Sequence, residues 1–354
     1  MICCTKCFND IQIKSVIKSI GNREEHCPLC RRTDVYIYDT VTNKDLENLF
    51  EDLLEIYSQG TEENGHITTT LTQELTDTWE IFDLEKEQVY KLLKEICPSL
   101  YAEKPSLFSN TIIVSEYSDV EYMEKNSIMR CNDWDEFVKE ITEEIRYHTD
   151  LLNKESFSQI LRLLEFPLPN DRKVYYRARI VNNLYYRPED IGAPPKEKAS
   201  DGRANSKGIP CLYLASDEET ASKEIRAGLH DKLSIGEFTP NRQLKIIDLM
   251  DIDKISPFGI SNPQFLYVNK RHLKRIGKEL SKTLRSNSSS LEYLPTQYIS
   301  DFIKSLGYDG IKYKSTLNPK GYNLAIFDVE SFDVCDVKNY TIDSINTNLK
   351  IERD

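Results

Sequence analysis

No stretch of this sequence approaches the ~20 consecutive apolar residues that a membrane-spanning helix requires, so no membrane partner is expected. The first residues, MICCTKC, lack the basic start and the ~7–15-residue apolar core of a secretory leader, which makes the cytoplasm the expected compartment. Histidine is scarce. Its five copies, at 26, 66, 148, 230 and 272, form neither HExxH nor any other ligand spacing. The phosphate-cradling patterns GxxxxGK[ST] and GxGxxG are absent as well, so a nucleotide bound here must be held by other means. No internal repeat is visible. Positive charge is short in the front half: residues 1–170 hold 17 Lys+Arg against 33 Asp+Glu, a net of −16. Residues 171–354 hold 29 against 25, a net of +4. An acidic front half repels a phosphate backbone, so nucleic acid is not the expected partner. The mildly basic back half suits small anionic ligands, and the contrast in sign favours docking or regulation of one half by the other.

What is present describes a globular protein of more than one domain. A chain of 354 residues exceeds one ordinary core. Its 39% hydrophobic and 29% charged residues exclude a disordered class. The pattern predicts α+β architecture, with a zinc-ribbon-like Cys4 module over 1–40, a mainly helical domain over 41–167, a mixed-sheet domain over 168–335 and an irregular tail over 336–354. In the helical part, Thr42 or Asn43 looks like an N-cap before a stripe of Leu46, Leu49, Phe50, Leu53, Leu54 and Tyr57. Residues 58–80 are Thr-rich and without clear period. Leu84, Val89, Leu92, Leu93 and Ile96 predict a second helix stopped by Pro98. A longer one starts near Asn132, with Trp134, Phe137, Val138, Ile141, Ile145 and Leu152 on one stripe, and continues in pieces to Leu164.

PLPNDR (167–172) marks a boundary, after which the pattern becomes mixed. Residues 174–180, 211–215, 244–249, 310–313 and 323–328 read as strands. The segment between the first two, RPEDIGAPPKEKASDGRANSKGIP, is a long Pro/Gly-rich loop of the kind that lines binding sites. Residues 262–285 and 296–306 read as helices separated by the turn SNSSS.

Nine cysteines in a chain with no leader argue for free thiols or metal ligands rather than disulfides. Cys4-x2-Cys7 and Cys27-x2-Cys30 have the spacing of a structural zinc site, in which two CxxC turns supply four tetrahedral thiolates. Cys3 offers an alternative register and His26 an alternative ligand. Four thiolates leave no position for water, so such a site is structural and not catalytic.

In the back half, Arg177 and Arg179 alternate on one strand face. Two adjacent guanidiniums either bind an anion such as a diphosphate, which matches their fork, or are ordinary surface charges. Ser216 with Glu219 has the form of a capping box, so a helix is expected to begin there. Its buried stripe would hold Ala221 and Ile225, and Glu224 beside that stripe would face either a cleft or solvent. Ser315 follows GYDGIKYK at a strand end.

The blocks YYRAR (175–179), GRAN (202–205), GIPCLYLASDEETASKEIRAG (208–228), LPTQYISDFIKSLGYDGIKYKS (294–315) and GYNLAIF (321–327) resemble the RES domain, named for its Arg, Glu and Ser. The resemblance covers about 170 residues. It implies an ADP-ribosyltransferase-like mixed sheet and cleavage of NAD at the nicotinamide–ribose bond, with many relatives acting as toxins of toxin–antitoxin pairs or in phage defence. It places the family Arg at Arg177, with Arg179 as a second candidate, the Tyr at Tyr213, the Glu at Glu224 and the Ser at Ser315. Arg203 and Asn205 stand where the family has a polar pair. The implied roles are Arg177 on the diphosphate, Tyr213 stacked on nicotinamide or its ribose, Glu224 on the ribose hydroxyls, and Ser315 on the diphosphate or the acceptor. The acceptor itself (water, phosphate or a macromolecule, the last making an ADP-ribosyltransferase) is not specified. A zinc-ribbon interaction protein that binds NAD without turnover is the competing class. The front half is similar to a HEPN-like region attached to some RES proteins. It has no Arg-x4–6-His signature, since Arg146 and His148 are two apart, and no RNase activity is assigned. Expected partners are NAD and an antitoxin or regulatory protein, and a homo-oligomer is compatible with the sequence.

Overall fold

In a computed structural model of the protein, which describes residues 1–60, 69–114, 119–131, 133–280, 282 and 290–345, the chain divides into two units that do not follow sequence order. The first comprises Met1–Ile128 and Asp253–Arg271, the second Met129–Ile252 and His272–Asp354. No helix among the described residues is long and apolar enough to cross a membrane. His66, Asn132, residues 283–285 and most of the SNSSS turn lie outside the described residues.

The first unit starts with strands β1 (Ile2–Cys4), β2 (Asn22–His26) and β3 (Thr33–Asp39), an antiparallel sheet in the order β1-β3-β2. Between β1 and β2 lies the helix Ile11–Ile20. Asp10 caps its start by accepting from the N–H groups of Gln12 and Ile13. Ile13 and Ile17, four apart, face the core. Gly21 caps its end, and only glycine fits there because a Cβ would lie 2.2 Å from the Ile37 carbonyl oxygen. The helix Asp45–Leu54 buries Leu46, Phe50, Leu53 and Leu54. Its N-cap position is Lys44, not Thr42 or Asn43; Asn43 turns its amide back to the Asp39 carbonyl instead. Tyr57 leaves the helical stripe altogether and opens β4 (Tyr57–Gln59). With β5 (Thr69–Thr70) and β6 (Thr111–Val114) it makes a second three-stranded sheet in the order β4-β6-β5. Pro98 does not merely stop the helix Lys86–Ile96: it opens the next one, Pro98–Glu103, at the position where a missing N–H costs nothing.

The later segment Asp253–Arg271 is built into this unit's core. Phe258 lies 5.0 Å from the fully buried Phe50, which stacks at 5.7 Å on Phe82, itself 5.2 Å from Phe8. Tyr267 meets Tyr57 edge-on at 6.2 Å and lies 5.9 Å from Trp79. The buried Asn269 accepts from the Ile128 N–H at 2.7 Å and donates to the Asn126 carbonyl at 2.9 Å.

The second unit holds β7 (Glu165–Leu168), β8 (Tyr175–Ile180), β9 (Leu212–Ala215), β10 (Lys232–Pro240), β11 (Leu244–Asp248), β12 (Gly310–Lys314), β13 (Tyr322–Ile326) and β14 (Phe332–Thr341). They form one mixed sheet in the order β14-β10-β8-β9-β13-β12-β11-β7. Only β11 and β12 pair in parallel, which requires the long crossover between them. One core cluster gathers Tyr175, Ile191, Leu212, Leu214, Phe238, Leu324 and Ile326. A second gathers Ala178, Ala215, Leu233 and Ile235 with Ala221 of the helix Glu218–Glu224.

The stripe from 132 to 152 is not one helix: Trp134–Lys139 is α-helical, Glu140–Glu144 is a π turn, and Ile145 is extended and half exposed. A fresh helix, Lys154–Leu163, then starts at the cap Asn153. The tail is not irregular through 341, because β14 pairs along the whole length of β10. Its exposed, charged side chains suit an edge strand. β10 carried no alternation because it is buried on both faces and interrupted by Gly236, where a Cβ would sit 2.9 Å from the Phe238 ring and 3.0 Å from Ile191.

Candidate active site

The mixed sheet opens at one place. β8 and β9 pair only through Tyr176 and Ala215, whereas β8 pairs with β10 over six residues. A cleft of about 440 Å³ lies at this opening, large enough for a small-molecule ligand. Arg177, Arg203, Tyr213, Glu224, Tyr313 and Asn323 are among its lining residues.

Arg177 ties the split together. Its Nη1 donates to the Tyr213 carbonyl at 3.0 Å and its Nε to the Ile191 carbonyl at 3.1 Å. Burial, aided by the neighbouring charge of Arg179, pushes its pKa down to about 10. It is still a cation at neutral pH, and three of its five N–H groups are not used by these two bonds. Arg179 is placed differently. Its Nη2 donates to the Gly192 carbonyl at 2.8 Å, its guanidinium lies 5.4 Å from the Tyr186 ring, and it does not line the cleft.

Tyr213 presents its ring while its hydroxyl is fully engaged, donating to Asn205 Oδ1 at 2.7 Å and accepting from the Ala204 N–H at 3.0 Å. Burial holds its pKa well above the ordinary tyrosine value, so the hydroxyl stays neutral. Gly202 must be glycine for this approach, since a Cβ would come 2.4 Å from the Tyr213 hydroxyl. Asn205 does not line the cleft. Its amide donates to the carbonyls of Ser200, Ser206 and Ile209, which makes it the internal brace of the loop over residues 199–209. Gln297 braces the same loop by donating to the carbonyls of Gly202 and Asn205, both at 2.9 Å. Arg203 does line the cleft, its guanidinium 5.7 Å from the Tyr313 ring and hydrogen-bonded to the Leu280 and Lys282 carbonyls.

Glu224 ends the helix Glu218–Glu224. Asp217, not Ser216, caps that helix: its Oδ1 accepts from the Thr220 N–H at 2.7 Å, while Ser216 donates to its other oxygen at 2.6 Å. The Ser/Glu capping box read from the sequence is therefore not formed. The Asn318 amide donates to Thr220 Oγ1 at 2.8 Å, which locks the helix start to the turn after β12. At the other end, Glu224 Oε1 accepts from Ser315 Oγ at 2.6 Å and from Asn323 Nδ2 at 2.7 Å. Oε2 has no hydrogen-bond partner among the described residues.

Ser315 is 6% exposed and is not among the cleft's lining residues. Its hydroxyl also accepts from the N–H groups of Leu317 at 3.3 Å and Asn318 at 3.0 Å. One donor and two lone pairs are all a hydroxyl has. The serine is thus fully committed to protein partners and has no capacity left for a diphosphate or an acceptor. Asn323 went unread in the sequence, although a lone amide opening the apolar run LAIF was a usable signal.

In the first unit, the sulfurs of Cys4, Cys7, Cys27 and Cys30 lie within 4.8 Å of one another. The separations are 3.7 Å for Cys4–Cys7, 3.6 Å for Cys4–Cys30 and 3.8 Å for Cys7–Cys27. A tetrahedral zinc with ~2.3 Å bonds places its sulfurs about 3.8 Å apart, so this group has the shape of a metal site. Cys3 faces elsewhere, paired in register with Tyr38, and the exposed His26 is outside the group.

Residues 175–345 match the family model described as the RES domain. No curated protein matches the chain. Among solved structures, the M. tuberculosis MbcT–MbcA toxin–antitoxin complex is similar at 12% identity, over 52% of this chain and 91% of that one, with a TM-score of 0.33.

Proposed function

We propose that the second unit cleaves NAD at its nicotinamide–ribose bond, as a glycohydrolase or phosphorylase. The observation that carries this reading is Glu224, whose one oxygen is fixed by Ser315 and Asn323 and whose other has no hydrogen-bond partner among the described residues, in a cleft also lined by Arg177 and Arg203. RES-domain proteins typically act on NAD, which supports the same substrate.

The C–N bond breaks with its electron pair leaving on neutral nicotinamide. The ribose becomes oxocarbenium-like, and a carboxylate beside it offsets the developing charge. Water then adds, loses a proton and gives ADP-ribose; inorganic phosphate in its place gives ADP-ribose 1″-phosphate. In this reading Arg177 and Arg203 hold the diphosphate, the Tyr213 ring packs against nicotinamide or its ribose, and Glu224 Oε2 accepts from ribose hydroxyls. The cysteine group of the first unit binds one structural zinc and takes no part in the chemistry. A toxin role with a protein antitoxin as partner is the cellular setting the family suggests.

The test is purified protein with NAD, products resolved by mass, with and without phosphate. Release of nicotinamide with ADP-ribose or its phosphate supports the reading, and the acceptor is identified by the product. Intact NAD after prolonged incubation with folded protein rejects it. Expression in bacteria should drain cellular NAD and arrest growth.

A further inference from the structure

We infer that Asn323 is a positioning residue which, with Ser315, clamps one oxygen of Glu224 so that the other stands ready for the ribose; this rests on the proposed NAD cleavage. Asn323 is the second residue of β13 and is paired on both sides, with Ala215 of β9 and Tyr313 of β12, so its backbone is held by two strands. It is 5% exposed and is followed in the strand by the buried Leu324, Ala325 and Ile326. An amide buried there is costly unless it is hydrogen-bonded, and its Nδ2 donates to Glu224 Oε1 at 2.7 Å.

Ser315 supplies the second jaw. Both of its lone pairs are occupied by the N–H groups of Leu317 and Asn318, so its proton has one direction left, toward Glu224 Oε1 at 2.6 Å. Both distances are in the range of hydrogen bonds to an ionised carboxylate. Two donors fill the two lone pairs of Oε1 and fix the rotamer. Oε2 keeps both of its own. A carboxylate held this way need not reorient as charge develops on the sugar, which is the advantage of preorganisation. A single donor would leave it free to rotate about the terminal torsion.

The test compares wild type with Asn323→Leu, which keeps the size of asparagine and removes the donor. Losing one charge-assisted bond in the transition state predicts a fall in kcat of about 10- to 100-fold, with KM for NAD within about twofold. In a Glu224→Gln background the same substitution should cost less than about twofold, since there is no carboxylate left to hold. A purely structural asparagine would give the same penalty in both backgrounds, and that result overturns the inference. So does an Asn323→Leu protein with unchanged kcat. If leucine destabilises the strand, Asn323→Ser, polar but too short to reach Glu224, takes its place with the same expectations. Should wild type leave NAD intact, the proposed activity fails, and a crystal structure of the Asn323 variant judges the clamp alone. A displaced Glu224 carboxylate upholds it; an unmoved one rejects it.

Discussion

Arg177 and Glu224 stand in one cleft but should fail in different ways. Arg177→Ala removes charge-assisted bonds made to ground and transition states alike, so KM for NAD should rise about 10- to 100-fold with a smaller change in kcat. Glu224→Gln keeps shape and hydrogen bonding but deletes the charge opposite the oxocarbenium. It should lower kcat by orders of magnitude while NAD affinity stays nearly intact, measured by steady-state kinetics beside calorimetric binding. Arg177 also sets a pH dependence. Burial pushes its pKa in the fold down to about 10, below the ordinary arginine value. Between those values the unfolded chain retains a proton that the folded chain has released, so this residue adds stability to the empty protein as pH rises through 10. Anion binding needs the charge and runs the opposite way. ADP-ribose affinity should be level from about pH 7 to 9 and weaken as pH passes about 10 in wild type, and equal ADP-ribose affinity of wild type and Arg177→Ala at pH 7 would argue against an anion on Arg177. Strand alternation drew notice to Arg177 and the resemblance to the RES domain to Arg203, Tyr213 and Glu224, and all four line the cleft. What sequence did not disclose was hydrogen-bond capacity: that Ser315 is used up by its own turn, and that Asn205 braces a loop, depend on neighbours distant in sequence.

Strands were legible as short apolar runs between turn residues rather than from alternation: β13, for one, is buried at each of its last four residues. The strands at 175–180, 212–215, 244–248, 310–314 and 322–326 end within two residues of their expected ranges. β10 was not legible, because a strand buried on both faces carries no period, and β14 was not, because an edge strand carries mostly polar side chains. The helix Glu218–Glu224 has seven residues, so its cap matters more than its length. Asp217→Ala should cost about 1 kcal/mol of stability by denaturant titration, with a matching loss of turnover as Glu224 loses its mount. The paired CxxC turns were legible from spacing alone because metal geometry dictates it. Metal analysis should give about one zinc per chain. Exchanging Cys27 and Cys30 for serine should abolish it and leave the first ~40 residues open to protease, since a small ribbon takes its folding energy from its ion.

At the scale of the molecule, the first unit is completed by Asp253–Arg271, a segment inside the span matched by the RES family. Composition and charge divide the chain near residue 170, and nothing in the sequence near 258 or 267 announces that those aromatic side chains belong with Phe50 and Tyr57. A fragment of residues 1–128 lacks Phe258, Tyr267 and Asn269 and should not give a cooperative melt on its own. Adding residues 253–271 as a linked or separate peptide should restore one. In the whole protein, Phe258→Ala should cost about 2 kcal/mol, read from a shifted denaturant midpoint.

This interleaving also has a consequence in time. Residues 1–128 leave the ribosome first, with the ring of Phe50 still lacking its partner Phe258. Roughly 140 further residues must be made before Arg271 appears. At ~5–20 residues per second that is on the order of ten to thirty seconds. For that interval the amino-terminal part of every new molecule waits with its aromatic core unfinished, while most of the cleft-bearing sheet, lacking β12 to β14, waits as well. The last strands needed for the cleft, β12 and β13, are synthesised only after the segment that closes the first unit. The order of synthesis therefore finishes the unit with the four-cysteine group before the site that carries Glu224 can exist.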